Sequence, residues 1–213
     1  MTNATESGPT SSPPIADLFS LRRSPRAFDE RRPVDRHTLL SLLEAARWAP
    51  SSRNEQPWQY VVFDQSQAAA REQARACLTD GNAWARKAPV LVLSVARDDF
   101  TRDGTPNRHA HHDVGLATAN LALQAVALGL AVHQMAGFDA DRARREFGIP
   151  PGFTPMAMIA VGYPYRGPLE DLPENIRAYE QRARLRRPLR DIAFAGRWDS
   201  PLVDAPPPLA APG

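Results

Sequence analysis

The sequence predicts an α+β domain, a sheet of about four strands with helices between them. Three observations predict it. Short apolar runs rich in β-branched side chains alternate with capped segments of helical period. Residues 114–138 hold no Asp, Glu, Lys or Arg, yet they divide at Gly129 into a helix and a strand. With 213 residues, 43% of them hydrophobic, the chain has the material for one core-forming domain.

Along the chain, residues 15–21 form a short helix candidate that stops at a polar turn, because Pro25 blocks a clean continuation. Asp35 suits the N-cap of a helix over 36–48, where Leu39, Leu43 and Ala46 recur on one face and Pro50 closes the element. Residues 58–63 are aromatic and β-branched, hence a strand, and 65–78 make an Ala- and Arg-rich surface helix carrying Cys77. Residues 89–96 are continuously apolar and predict a strand buried on both faces. The Ala- and Leu-rich stretch 114–128 predicts a helix buried on all sides, in a core or a subunit interface, and so an obligate dimer. A strand over 130–136 follows it. Asp139 caps a helix over 140–147, Gly148-Ile149-Pro150-Pro151 ends it, and 154–163 is a strand closed by Gly162 and Pro164. The domain spans 15–199, between a disordered lead at 1–14 and a flexible Pro- and Ala-rich tail at 200–213.

Composition excludes several function classes. Basic and acidic side chains number 26 and 24, a balance that argues against a dedicated nucleic-acid surface. The single cysteine permits no internal disulfide and fits a reducing cytoplasm. The N-terminal residues have neither a cationic start nor an apolar run, and Thr118, Asn120, Gln124 and Gly129 interrupt the longest apolar stretch, so neither a signal peptide nor a membrane span is expected. No Gly-x-Gly-x-x-Gly follows a strand and no Walker sequence occurs, which removes Rossmann and P-loop readings. His109, His111 and His112 fall in a segment expected to be a polar loop, and their spacing is weak evidence for a metal. No metal site is assigned.

Two segments carry chemistry. Arg22-Arg23-Ser24-Pro25-Arg26-Ala27-Phe28 packs three guanidiniums and a hydroxyl into five positions, donors that suit a dianionic phosphate. Alone, it reads more readily as a solvated basic helix end. Ala49-Pro50-Ser51-Ser52-Arg53-Asn54-Glu55-Gln56-Pro57-Trp58 is a polar turn stiffened by two prolines, presenting amides and hydroxyls beside an aromatic. Together, in this order and ahead of a strand, they resemble the opening of the nitroreductase family of FMN-dependent NAD(P)H oxidoreductases. Asp113-Val114-Gly115-Leu116-Ala117, Ala136-Gly137-Phe138-Asp139, Glu146-Phe147-Gly148-Ile149-Pro150 and Ala160-Val161-Gly162-Tyr163-Pro164 extend the resemblance, and Arg184-Leu185-Arg186-Arg187-Pro188-Leu189 is similar to the family's basic C-terminal motif.

The resemblance implies a nitroreductase-like fold: a central, mostly antiparallel mixed sheet of four to five strands flanked by helices, in an intertwined homodimer. It implies that Arg22, Arg23, Ser24 and Arg26, with Arg184 and Arg186, hold the FMN phosphate and ribityl chain. Pro50, Ser51, Ser52, Asn54 and Gln56 would reach the same flavin from the other subunit, and Ala136 and Gly137 would line the ring through backbone groups, Gly137 allowing close approach. Asn82, Trp84 and Lys87 fall where some members place further flavin or substrate contacts, and residues 97–108 leave room for only a small lid. No catalytic acid or base is assigned, because hydride chemistry belongs to the flavin, with NAD(P)H as a transient co-substrate. The expected reaction is a ping-pong transfer to a nitroaromatic, quinone or related small-molecule acceptor. The alternatives are a flavin-binding or storage protein without turnover, or a specialised branch such as dehalogenation or flavin fragmentation.

Overall fold

The computed structural model describes residues 13–202, which fall into two compact units, one up to Gln181 and one from Arg182 onward. The predicted lead at 1–14 and tail at 200–213 therefore lie almost wholly outside the described residues. The first unit holds the helices α1 (Asp17–Leu21), α2 (Arg36–Arg47), α3 (Ala68–Ala76), α4 (Ala110–Ala127), α5 (Ala140–Glu146) and α6 (Glu174–Glu180). Its strands are β1 (Trp58–Phe63), β2 (Val90–Arg97), β3 (Ala131–Met135) and β4 (Phe153–Gly162).

These four strands form one sheet in the order β1-β2-β4-β3, antiparallel at every pairing. The pleat sorts their side chains onto two cores. In β2, Leu91, Leu93 and Val95 join a cluster with α3 and α5 through Ala74 and Ala143, whereas Val90, Val92 and Ala96 face α2 and α4 with Leu42, Ala46, Val114 and Leu121. The predicted burial of this strand on both faces is what the structure shows. A register shift at Ser94/Val95 lets Pro155 of β4 sit in the ladder, where a residue without an N–H would otherwise break a pair.

Caps follow the sequence closely. The Asp35 side chain accepts from the Thr38 N–H at 2.8 Å, and Asp139 accepts from the Arg142 N–H at 2.8 Å. Gly129 and Gly148, at φ +72° and +63°, take the left-handed conformation that ends α4 and α5.

Two expectations need correction. The 110–113 segment is the first turn of α4 and not a polar loop: Ala110, Asp113 and Val114 turn inward while His111 and His112 stay exposed. Within the single chain α4 is buried along one stripe (Ala110, Asp113, Val114, Ala117, Thr118, Leu121, Ala122, Ala125). Its other side leaves Gly115 and Ala119 exposed and Leu116, Leu123 and Val126 half-buried. Cys77, expected on a surface helix, is buried at the end of α3, 1% exposed, and burial pushes its thiol pKa up. It packs at i+3 from Ala74, so the flanking Arg71 and Arg75 disguise an inward position.

No helix among the described residues is long and apolar enough to cross a membrane, and none of their His, Cys, Asp and Glu side chains group into a possible metal site. In the second unit, Pro188 precedes a turn at Leu189–Asp191, Phe194 bridges Pro201, and the Phe194 and Trp198 rings lie 5.0 Å apart.

Candidate active site

The arginine turn leaves α1 at Arg22, whose backbone N–H caps the helix by donating to the Leu18 carbonyl. Arg22 Nη1 donates to Ser24 Oγ at 3.1 Å, and exposed Arg23 reaches the Glu180 carbonyl at 3.4 Å. The back of the turn is held by α6. One oxygen of the Glu180 carboxylate accepts from the N–H groups of both Arg26 (2.5 Å) and Ala27 (3.1 Å), and Tyr179 Oη donates to the Ser24 carbonyl at 3.3 Å. The Arg26 guanidinium lies 4.0 Å from the centre of the Tyr179 ring and 5.8 Å from that of Trp84. Its Nε and the Trp84 Nε1 are buried without a partner among the described residues, so the cation–π contacts carry that charge's packing.

His133 of β3 completes this cluster, its ring 4.5 Å from Trp84 and 6.1 Å from Tyr179. Its Nδ1 lies 2.9 Å from the Pro25 carbonyl, an acceptor only, which assigns the proton to Nδ1. Burial holds the imidazole pKa below its ordinary value, against the carbonyl contact that favours the charged form.

The polar loop at 51–56 is built differently. Arg53, Asn54 and Gln56 have φ of 56°, 55° and 54°, left-handed angles that non-glycine residues seldom adopt. Such positions persist only where surroundings over-determine them. Here Asp113 of α4, 3% exposed, accepts from the Ser52 N–H at 2.9 Å, and Ser51 Oγ accepts from the Gln56 N–H at 3.0 Å. The short 98–109 segment closes the outer side, with Thr101 N–H donating to Glu55 at 2.7 Å and Arg53 lying 5.5 Å from the Phe100 ring. Asn54 and Gln56 are left exposed, Ser51 and Ser52 half-buried, and Pro50 exposed at the loop's entry. Sequence reasoning found this loop and missed Asp113's role as its anchor, because the contact joins residues sixty-one positions apart.

Ala136 and Gly137 follow β3 directly. The Gly137 carbonyl accepts from Thr79 Oγ1 at 2.9 Å, Asn82 Nδ2 at 2.9 Å and the Thr79 N–H at 3.3 Å. A Cβ here would fall 2.6 Å from Asn82 Nδ2 and 2.9 Å from Thr79 Oγ1, so the close approach that this glycine permits is to those two side chains. Trp84 is a core residue, and Lys87 pairs with Glu30 at 2.9 Å on the surface. Arg184 and Arg186 lie in the second unit, in a segment without helix or strand, Arg184 half-buried and Arg186 donating to the Leu185 carbonyl at 2.8 Å.

The sequence model of the Nitroreductase family covers residues 20–163. This chain belongs to the nitroreductase family. The fold agrees: a solved structure described as an oxidoreductase containing FMN aligns with a TM-score of 0.83 at 35% identity, covering 94% of this chain and all of that one. Among relatives, the 5,6-dimethylbenzimidazole synthase of Rhodospirillum rubrum is 30% identical over 74% of this chain and 87% of its own length. A Ralstonia nicotianae protein with the provisional name NADH dehydrogenase/NAD(P)H nitroreductase is 32% identical over 65% of this chain and 80% of its own. Membership makes an oxidoreductase the coarse functional class of this nitroreductase-family chain.

Proposed function

We propose that the protein is an FMN-dependent oxidoreductase that takes a hydride from NAD(P)H and passes electrons to a nitroaromatic, quinone or related acceptor in a ping-pong cycle. One observation carries the reading: exposed polar donors at 51–56 are held in left-handed backbone by a buried carboxylate, in a chain that resembles an FMN-containing oxidoreductase over 94% of its length. Strain of this kind gathers at ligand-binding sites. The residues present fit a flavin mononucleotide. Arg22 and Arg23 offer charged donors for a phosphate, and the Gly137 N–H meets no acceptor among the described residues.

When bound, FMN supplies the two-electron hydride chemistry. The chain's residues bind and orient: Arg22, Arg23 and Ser24 at the phosphate, Arg26 as the packed root of that turn, Ala136 and Gly137 at the ring's edge. Pro50, Ser51, Ser52, Asn54 and Gln56 would act on the flavin of a second subunit, which makes a homodimer part of the proposal. The half-buried side of α4, with exposed Leu18 and Phe19 of α1, Leu40 of α2 and Trp48 just beyond it, supplies apolar surface for it. Obligate dimers bury upwards of roughly 2,000 Å². A cytoplasmic enzyme fits the lone, buried cysteine.

A second reading, a specialised branch of the family, is favoured by the likeness to a relative named for a synthase. The visible spectrum of purified protein, followed by anaerobic NADH and NADPH titration, tests the first. A yellow protein whose absorbance bleaches with a nicotinamide and returns with a quinone or nitrofuran supports it. A colourless protein that binds no added FMN sinks it, and irreversible loss of flavin absorbance or release of halide selects the specialised branch.

A further inference from the structure

We infer that Thr79 and Asn82 are positioning residues that fix the direction in which the Gly137 N–H points, through the two peptide planes on either side of Gly137. The inference rests on the FMN reading above.

Thr79 and Asn82 sit at the start of a 3-10 turn over Asp80–Lys87, with Asn82 N–H donating to the Thr79 carbonyl at 2.9 Å. In such a turn, side chains three apart lie side by side, so a hydroxyl and an amide are presented together. Both donate to the Gly137 carbonyl at 2.9 Å, and the Thr79 N–H adds a longer third contact. A carbonyl has two lone pairs, so three donors leave this one little freedom to rotate.

Planarity carries the constraint along the chain. The Gly137 carbonyl and the Phe138 N–H share one trans peptide, so clamping the first aims the second in the opposite direction. The Phe138 N–H donates to the Ala136 carbonyl at 3.0 Å, closing a three-residue turn with Gly137 at its centre. That carbonyl shares its peptide with the Gly137 N–H, which is thereby turned away from the turn's interior. This N–H is left without an acceptor among the described residues. Phe138 also bridges Leu78, and Asp139 N–H donates to the Cys77 carbonyl at 2.8 Å, so the chain after the turn is tied to the residues before Thr79. Glycine is needed at the centre because any Cβ would displace the clamp.

A donor whose direction is fixed before the ligand arrives needs no reorganisation, and it weights the two redox states of a bound flavin unequally. Loosening it should change the flavin's redox balance more than its affinity. The test compares wild type with Thr79→Val, Asn82→Leu and Thr79→Ser in full-length, FMN-loaded protein. Expected are unchanged FMN affinity and, in Thr79→Val and Asn82→Leu, about a tenfold change in the reduced-to-oxidised ratio at fixed potential, some 30 mV for a two-electron couple. Thr79→Ser, which keeps the hydroxyl, should match wild type. In the apoprotein, the Gly137 amide resonance should shift or broaden in the first two variants only. Wild-type potential and an unmoved resonance in both variants overturn the inference, as does a loss of affinity with the potential unchanged. Should Asn82→Leu fail to fold, Thr79→Val decides alone, since it removes one hydroxyl and keeps the backbone donor. A wild type that binds no FMN refutes the cofactor reading itself, and that result is visible before any variant is made.

Discussion

The arginine turn at 22–27 and the polar loop at 51–56 are proposed to hold two parts of one cofactor, and they are stabilised by different means. The turn has no left-handed residue and is anchored from behind, by the Glu180 carboxylate on two N–H groups and by the Arg26, Tyr179 and Trp84 stack. The loop has three left-handed residues and is anchored from beneath by the buried Asp113. Long guanidinium side chains find a phosphate from a turn that is merely held in place. Short amides and hydroxyls reach only as far as the backbone puts them, so there the strain is stored in the main chain.

The comparison breaks most visibly at Asp113. Replacing it with Ala removes a charge-assisted bond and leaves the half-buried Ser52 N–H without its acceptor, a loss expected to be about 2–3 kcal/mol. Urea unfolding should show it, and hydrogen exchange should rise at 51–57 while the arginine turn keeps its protection. Equal deprotection of both regions would mean that the two anchors are not independent.

Arg23→Ala against Asn54→Ala sharpens the contrast from the cofactor's side. Loss of a charged phosphate contact should cost on the order of 1.5–3 kcal/mol of FMN affinity, with the bound flavin's reactivity little changed. Asn54→Ala should alter the reduction rate or potential more than the affinity. Dissociation constants and stopped-flow rates at saturating flavin measure both, and an affinity-only defect shared by the two variants would erase the proposed division.

How much of this was legible beforehand follows the same line. Local signals read well: β1 falls where the aromatic and β-branched run placed it, and the Asp35 and Asp139 caps are as expected. Both polar segments proposed for the cofactor stand out because their polar residues are contiguous. Long-range anchors were not found. Asp113 stands out in the sequence only as the opening of the Asp113-Val114-Gly115-Leu116-Ala117 run, although its spacing to Ala110, Val114 and Ala117 is that of one helix face. Glu180, Thr79 and Asn82 act on backbone groups over fifty positions away, and a carbonyl or N–H leaves no mark in the sequence.

A smaller effect tests the turn's aromatic root. Burial sets the folded pKa of His133 below the unfolded value of about 6.5. Below that pH the unfolded chain takes up the proton first, and stability is lost as pH falls toward the folded value. Chemical unfolding at a series of pH values should show this loss in wild type and its absence in His133→Gln. An identical slope in both would detach the imidazole from the turn.

The smallest effect concerns the strain itself. Arg53 holds φ 56° with an exposed side chain whose visible contact is a 5.5 Å approach to Phe100. A left-handed angle costs an L-residue roughly 1–2 kcal/mol, and glycine adopts it freely. Glycine also gives the unfolded chain more freedom, a penalty of roughly 0.5–1 kcal/mol, so Arg53→Gly should be a net gain of about 0.5 kcal/mol. Gly substituted in the 22–27 turn, at Arg23, relieves no such angle and should lose stability. Paired unfolding curves decide: if both substitutions destabilise alike, the 51–56 backbone is not strained, and the contrast drawn between the two regions reduces to their side chains.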